Sequence, residues 1–374
     1  MRPKITSGGL TSFPSVRRPF MVRLMQLLGR RGVLGIVLFV AVAVAGILGS
    51  RLFTTAGAAA RAPCPSDPRV ALGCYEQRYR SIVAGQGVAA AFAALKTGYG
   101  ADPEMQRLCH AITHAIGQAA MAQYGDVAAA FRYGDNACGS GYYHGVMQGF
   151  ALTRGRTTLL SDLDAVCAGV PGKERKSLDY FNCVHGLGHA VMAVRDDALF
   201  DALHDCDGLT GAMEQNACVN GVFMENLIVD GAHGGHYSKY LKPGEPLYPC
   251  TAVAEKYKAE CFDMQTSYAL GAVQGDFAKV FALCAGVAMP FRNNCYQSLG
   301  RDAATISRDQ VSPTVATCNL GRGHDQRAYC VLGAVLDFVY YYHSDEQAKA
   351  LCAAIDRDLR QGCRSAITSL VGRF

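Results

Sequence analysis

Sixteen cysteines, all beyond residue 63, constrain this 374-residue chain more than any other feature. Cys250, Cys284, Cys318 and Cys352 recur every 34 residues, and Cys261, Cys295, Cys330 and Cys363 follow them by 11 or 12. Cys206 with Cys218, Cys167 with Cys183 and Cys64 with Cys74 keep a similar gap, while Cys109 and Cys138, 29 apart, break it. An even count at regular spacing reads as disulfides formed in an oxidising compartment, each joining near neighbours. A closed loop this short contributes about 3 kcal/mol by the chain-entropy argument.

A period of 34 suits two helices and their turns. The last unit shows the pattern. "SDEQAKALCAAI" offers Ser344 and Gln347 as a capping box. Its apolar positions Ala348, Leu351, Cys352 and Ile355 form one helical stripe. "DRDLRQG" then turns the chain, and "CRSAITSLVGRF" starts a second helix. The first cysteine therefore ends one helix and the second opens the next, so a bridge staples the corner of a helical hairpin. In repeat length and helix-pair pattern, residues 200–374 resemble the tetratricopeptide class of α-solenoid. The Trp, Leu-Gly and Tyr signature of that family is not present in order; the chain has no Trp at all. With half of its residues apolar the chain can bury a core of some size. The expected fold is all-α: disulfide-stapled helical-hairpin repeats, α-solenoid-like, behind a single N-terminal transmembrane helix.

That helix is read from "GVLGIVLFVAVAVAGILGS" (32–50), nineteen residues without a charge. At about 1.5 Å per residue they roughly span a hydrocarbon core. Residues 1–31 carry seven Arg and Lys and no acid. This basic arm stays in the cytoplasm, and residue 51 onward lies outside. A long cleaved signal peptide is the alternative, because "TTAGAAARA" (54–62) offers small residues at peptidase spacing. A linker over 51–63 follows. Without the arm the body holds 29 basic and 31 acidic side chains, close to neutrality. That balance gives no electrostatic case for nucleic acid.

Five of the ten histidines fall within 80 residues. "CHAITHAIG" (109–117) carries His110 and His114; "CVHGLGHA" (183–190) carries His185 and His189. Residues four apart share a helix face, the spacing at which one helix offers two imidazoles to one metal. Alignment on the second cysteine of each unit puts His144 of "CGSGYYHGVMQG" at the position of His189, six residues after the cysteine. Met224 occupies that position in "CVNGVFMENLIV", with Glu225 beside it, and both are further ligand candidates. Later units carry Ser267, Arg301 and Leu336 there. A position shared by neighbouring units lines one side of a solenoid.

Imidazole sets suit zinc, copper or iron. Two pairs facing each other, with His144 near, could hold a dinuclear centre; a haem with one axial histidine from each helix is the other cofactor reading. The glutamate of H-E-x-x-H peptidases is missing from both pairs, and no C-x-x-C-H occurs for covalent haem. Neither a G-x-S-x-G elbow nor a phosphate-cradling glycine loop is present. A histidine cluster that binds nothing and a polar pocket for an organic ligand both stay open. Gly141, Gly145, Gly186, Gly188 and Gly221 sit inside expected helices, at about 1 kcal/mol each against Ala. They permit close approach of a cofactor, a ring or simply another helix.

The organisation expected is therefore a histidine-rich region over 64–230, a Gly/Pro-rich loop over 231–249 with His233 and His236, and hairpin units over 250–374. His324 and His343 read as structural or exposed. The function expected is binding of a metal ion or haem outside the cytoplasm, in redox or metal handling. The competing class is a non-enzymatic scaffold that binds another envelope protein.

Overall fold

Local chemistry starts and stops the helices. The computed structural model describes residues 64–371 except 66, 233–238, 308–309 and 343. The expected basic arm, membrane helix and linker, together with His233, His236 and His343, lie outside the described residues. Among those described there are sixteen helices and no strand, and no helix is long and apolar enough to cross a membrane.

In chain order the helices are α1 Pro68–Gln86, α2 Val88–Tyr99, α3 Pro103–Tyr124, α4 Val127–Phe131, α5 Gly141–Ser161, α6 Leu163–Val166, α7 Leu178–Val194, α8 Leu199–Cys206, α9 Ala212–Ala232, α10 Glu255–Ala272, α11 Phe277–Ala285, α12 Phe291–Ile306, α13 Val311–Cys318, α14 His324–Tyr342, α15 Glu346–Ala354 and α16 Arg360–Val371. The Asp102 side chain accepts from the amides of Glu104 and Met105 to open α3, with Pro103 at the first helical position. Gly125, at φ 69°, closes the same helix in the left-handed conformation. Ser177 caps α7 through the amide of Tyr180. The cap expected at Ser344 is shifted: α15 starts at Glu346 behind Asp345, and the Ser344 hydroxyl accepts only from the Glu346 amide, at 3.2 Å.

The long helices pack in a row. α1 touches α3, α3 touches α5, and so on through α7, α9, α10, α12, α14 and α16. Short helices occupy most of the turns between them. Eight disulfides join neighbouring cysteines, all in the pairs that the spacing suggests, and no described cysteine is free. From Cys206 on, the bridges tie a short helix or turn to the following long helix, as with Cys318 at the end of α13 and Cys330 in α14. Cys109–Cys138 differs in kind: Cys109 lies within α3 and Cys138 in the turn before α5.

Glycine sets how close the long helices come. A methyl group on Gly145 would overlap the carbonyl oxygen of His114, and one on Gly117 would overlap that of Tyr142. Gly188 and Gly221 are matched in the same way against the carbonyls of Cys218 and His185. Farther along, Gly300 and Gly333 face the carbonyls of Cys330 and Gln297. Gly188 and Gly300 each stand five residues after their unit's second cysteine, and Gly221 and Gly333 each stand three after theirs. The neighbour that requires glycine at these positions is another helix backbone.

Candidate metal centre

This tight spacing brings three histidine-bearing helices into contact. His110 and His114 lie on α3, His144 in the first turn of α5, and His185 and His189 in the middle of α7. His144 is central: its ring centroid is 4.2 Å from that of His189, 4.8 Å from His185, 5.2 Å from His110 and 5.4 Å from His114. His114 and His189 close the group at 5.7 Å. His189 is fully buried and His144, His185 and His114 are nearly so; His110 is half-buried. All five residues singled out in the sequence thus meet in one place. The other described histidines, His204 and His324, are exposed and lie elsewhere.

The hydrogen bonds behind the rings decide which nitrogen each one presents. His110 Nδ1 donates to the carbonyl of Cys138 at 2.8 Å, and that oxygen can only accept. His114 Nδ1 donates to Gln148 Oε1 at 3.0 Å, an oxygen that also accepts from Gln118. Both Nε2 atoms therefore carry lone pairs, and they face each other at 3.0 Å. On α7 the arrangement recurs: His189 Nδ1 meets Glu225 Oε2 at 2.5 Å, and His189 Nε2 faces His185 Nε2 at 3.3 Å. Gln148 Nε2 also donates to the Glu225 carboxyl at 3.2 and 3.3 Å. A continuous strap, His114–Gln148–Glu225–His189, thus joins the two pairs.

Burial governs the charges. It lowers His110 and holds His144 and His189 well below the usual imidazole range, and pushes His185 down to about 3. For His144 and His189 the neighbouring imidazoles add to this. Burial, helped by the charge of Asp197 and opposed by the Gln148 hydrogen bond, pushes Glu225 up to about 8. At neutral pH these four rings are therefore neutral, the state in which imidazole binds a metal without competing with a proton.

The spacing suits a small ion. Metal–nitrogen bonds of about 2.0–2.1 Å put neighbouring nitrogens of a tetrahedral shell about 3.3 Å apart. The separations of 3.0 and 3.3 Å each match one edge of such a shell. In two trios one ligand nitrogen from each residue lies within 4.8 Å of the others: His110, His114 and His144, and His144, His185 and His189.

Sequence reasoning left the outer partners out or gave them another role. Glu225, a candidate ligand by sequence, stands behind His189 as a hydrogen-bond partner, and Met224 packs against the hydrophobic core. Gln148 was not singled out; its place four residues after His144 on the same helix is the one signal that could have found it. The Cys138 carbonyl leaves no trace in a sequence. Also unforeseen is the way the seam continues. Asp302 accepts from Thr266 and Ser267, Arg301 donates to the Asp263 carbonyl, and Asn220 donates to Glu260. The position that carries histidine in α5 and α7 is thus taken over by a hydrogen-bonded polar network in α10 and α12. No protein-family model, curated protein or solved structure matches this chain.

Proposed function

We propose that this chain binds a transition-metal ion, copper, iron or zinc, through His110, His114, His144, His185 and His189, and that it does so as a membrane-anchored protein whose body lies outside the cytoplasm, in redox or metal handling. One observation carries the reading. Two pairs of Nε2 atoms face each other at 3.0 and 3.3 Å, and outer acceptors direct the ring protons away from the first pair. Two ring lone pairs turned towards each other at that distance repel, and a cation between them turns repulsion into ligation. The outer groups follow the pattern by which metal-bound histidines are oriented: a carbonyl, an amide oxygen and a carboxyl group on Nδ1.

A bare ion suits the cluster better than haem. The helix backbones that carry the rings meet at Gly117, Gly145, Gly188 and Gly221, where even a methyl group has no room. A macrocycle would have to force these contacts apart. Sixteen paired cysteines support the extracytoplasmic placement, and the membrane anchor rests on the sequence of residues 32–50.

A different observation favours the scaffold reading for the C-terminal half. The Gly300 and Gly333 contacts reproduce those of Gly188 and Gly221 without any histidine, as a stack of hairpin units of about 34 residues would require. Such a stack can bind another envelope protein along one face.

The test is elemental analysis and a visible spectrum of the full chain, made where disulfides form and kept from chelators and affinity-tag metals. Bound copper, iron or zinc that is lost in His114→Ala, His189→Ala supports the metal reading. A folded, disulfide-complete protein that takes up none of the three on reconstitution sinks it. The scaffold reading expects partner binding to survive His189→Ala.

A further inference from the structure

We infer that the cluster takes two metal ions, and that His144 lies between them with one ring nitrogen directed to each. The inference rests on the metal reading above and adds the number of ions and the role of the central residue.

Ligand reach is the first ground. Ligand atoms of one ion lie at most about 4.2 Å apart when each bond is about 2.1 Å. The His110–His114 and His185–His189 pairs do not fall into one set even at a 4.8 Å limit; each joins a set only through His144. A single ion therefore cannot take both pairs where they stand. Two ions can, each held on the edge that one helix supplies.

The second ground is the hydrogen bonding of the rings. A histidine that binds one ion uses its other N–H on an outer acceptor. His110 and His114 do so through Cys138 and Gln148, and His189 Nδ1 is hydrogen-bonded to Glu225. His185 Nδ1 is likewise buried without a partner, but this ring stands beside only two of the other four. His144 differs. Its Nδ1 is buried and has no partner, although the ring sits among four others. In a densely hydrogen-bonded cluster, a central ring with an idle inner nitrogen is what a bridging imidazolate requires. When the second ion seats, the ring gives up its N–H proton to water and forms a second metal–nitrogen bond; no electron moves.

Copper(II) alone is the probe. Full-length, disulfide-intact protein is titrated, its copper content is measured, and the electron paramagnetic resonance signal is counted as spins. The expected result is two copper ions per chain with far fewer than two spins at low temperature, because an imidazolate bridge couples the ions antiparallel. His144→Ala should either bind two ions with a full spin count or lose at least tenfold in affinity for the second. One ion per wild-type chain overturns the inference and leaves the metal reading standing. Two ions with two full spins remove the bridge. No bound copper, with zinc and iron(II) also refused, sinks the metal reading itself. The wild-type measurements decide even where the variant does not fold.

Discussion

Glu225 reaches His189 from α9, and Gln148 reaches both Glu225 and His114 from α5. One carboxyl group and one amide therefore set the orientation of a ring in each pair. Outer partners of this kind typically contribute 10- to 100-fold to metal affinity. Glu225→Ala should lower affinity by that factor, measured by competition with a chromophoric chelator. Glu225→Gln keeps an oxygen for His189 Nδ1–H and should recover most of the loss. Equal loss in both variants would mean that orientation by a side-chain oxygen at this position is not what sets the affinity. At this scale the inner rings were legible and their partners were not. Histidine at four-residue spacing marks itself in a sequence. A glutamate 36 residues downstream of the ring it holds does not, nor does the peptide oxygen of Cys138.

At the scale of helices, glycine and disulfide act on the same geometry. Gly145 presses on the His114 carbonyl, so a side chain there moves α5, with His144, away from α3. Overpacking of this kind typically costs about 1–3 kcal/mol. Gly145→Ala should lower both stability and metal content. Gly300→Ala meets an equally tight contact at Cys330 but lies far along the row. It should lower the unfolding midpoint by a similar amount and leave metal per folded molecule unchanged. The bridges separate in the same way. Loss of Cys109–Cys138 opens a loop of 29 residues, about 3.5 kcal/mol by chain entropy. It also frees the turn whose carbonyl orients His110, so Cys109→Ser, Cys138→Ser should weaken metal binding as well. Loss of Cys352–Cys363 should cost about 3 kcal/mol and no metal. Guanidinium unfolding and metal analysis on each variant check both pairs of statements. The regular bridges were readable because a period of 34 repeats along the chain. The Cys109–Cys138 exception was visible as an irregularity, and its purpose appears only where Cys138 meets His110. The in-helix glycines were also visible, but sequence could not tell a cofactor from a neighbouring backbone as the object they approach.

Across the whole molecule, two populations of buried groups pull stability in opposite directions with pH. His110, His144, His185 and His189 have depressed native pKa values, so the native state binds fewer protons than the unfolded chain below the ordinary 6.5, in the case of His185 down to about 3. Their contribution is present above pH 6.5 and is lost as pH falls. Glu260 behaves in the reverse sense. Burial first, then the charge of Asp263, pushes its carboxyl from 4.5 up to about 8, against the Asn220 hydrogen bond. The native state then binds more protons than the unfolded chain between about 4.5 and 8, and stability falls as pH rises through that window. Asp263 acts in the same sense up to about 6, and Glu225 up to about 8. Above pH 6.5 the histidine contribution is level and Asp263 is mostly titrated. The decline from pH 6.5 to 8.5 thus belongs to Glu260 and Glu225. In metal-free protein with its disulfides intact, the denaturant midpoint should drop over this range. Glu260→Gln should remove part of the drop, and Glu225→Gln the rest. Glu260 sits on α10, outside the histidine helices, so its variant should change the pH profile without changing metal content. A Glu260→Gln profile that falls as steeply as the wild type would show that this carboxyl titrates near its ordinary value and that the polar seam through α10 and α12 carries no stored protonation energy.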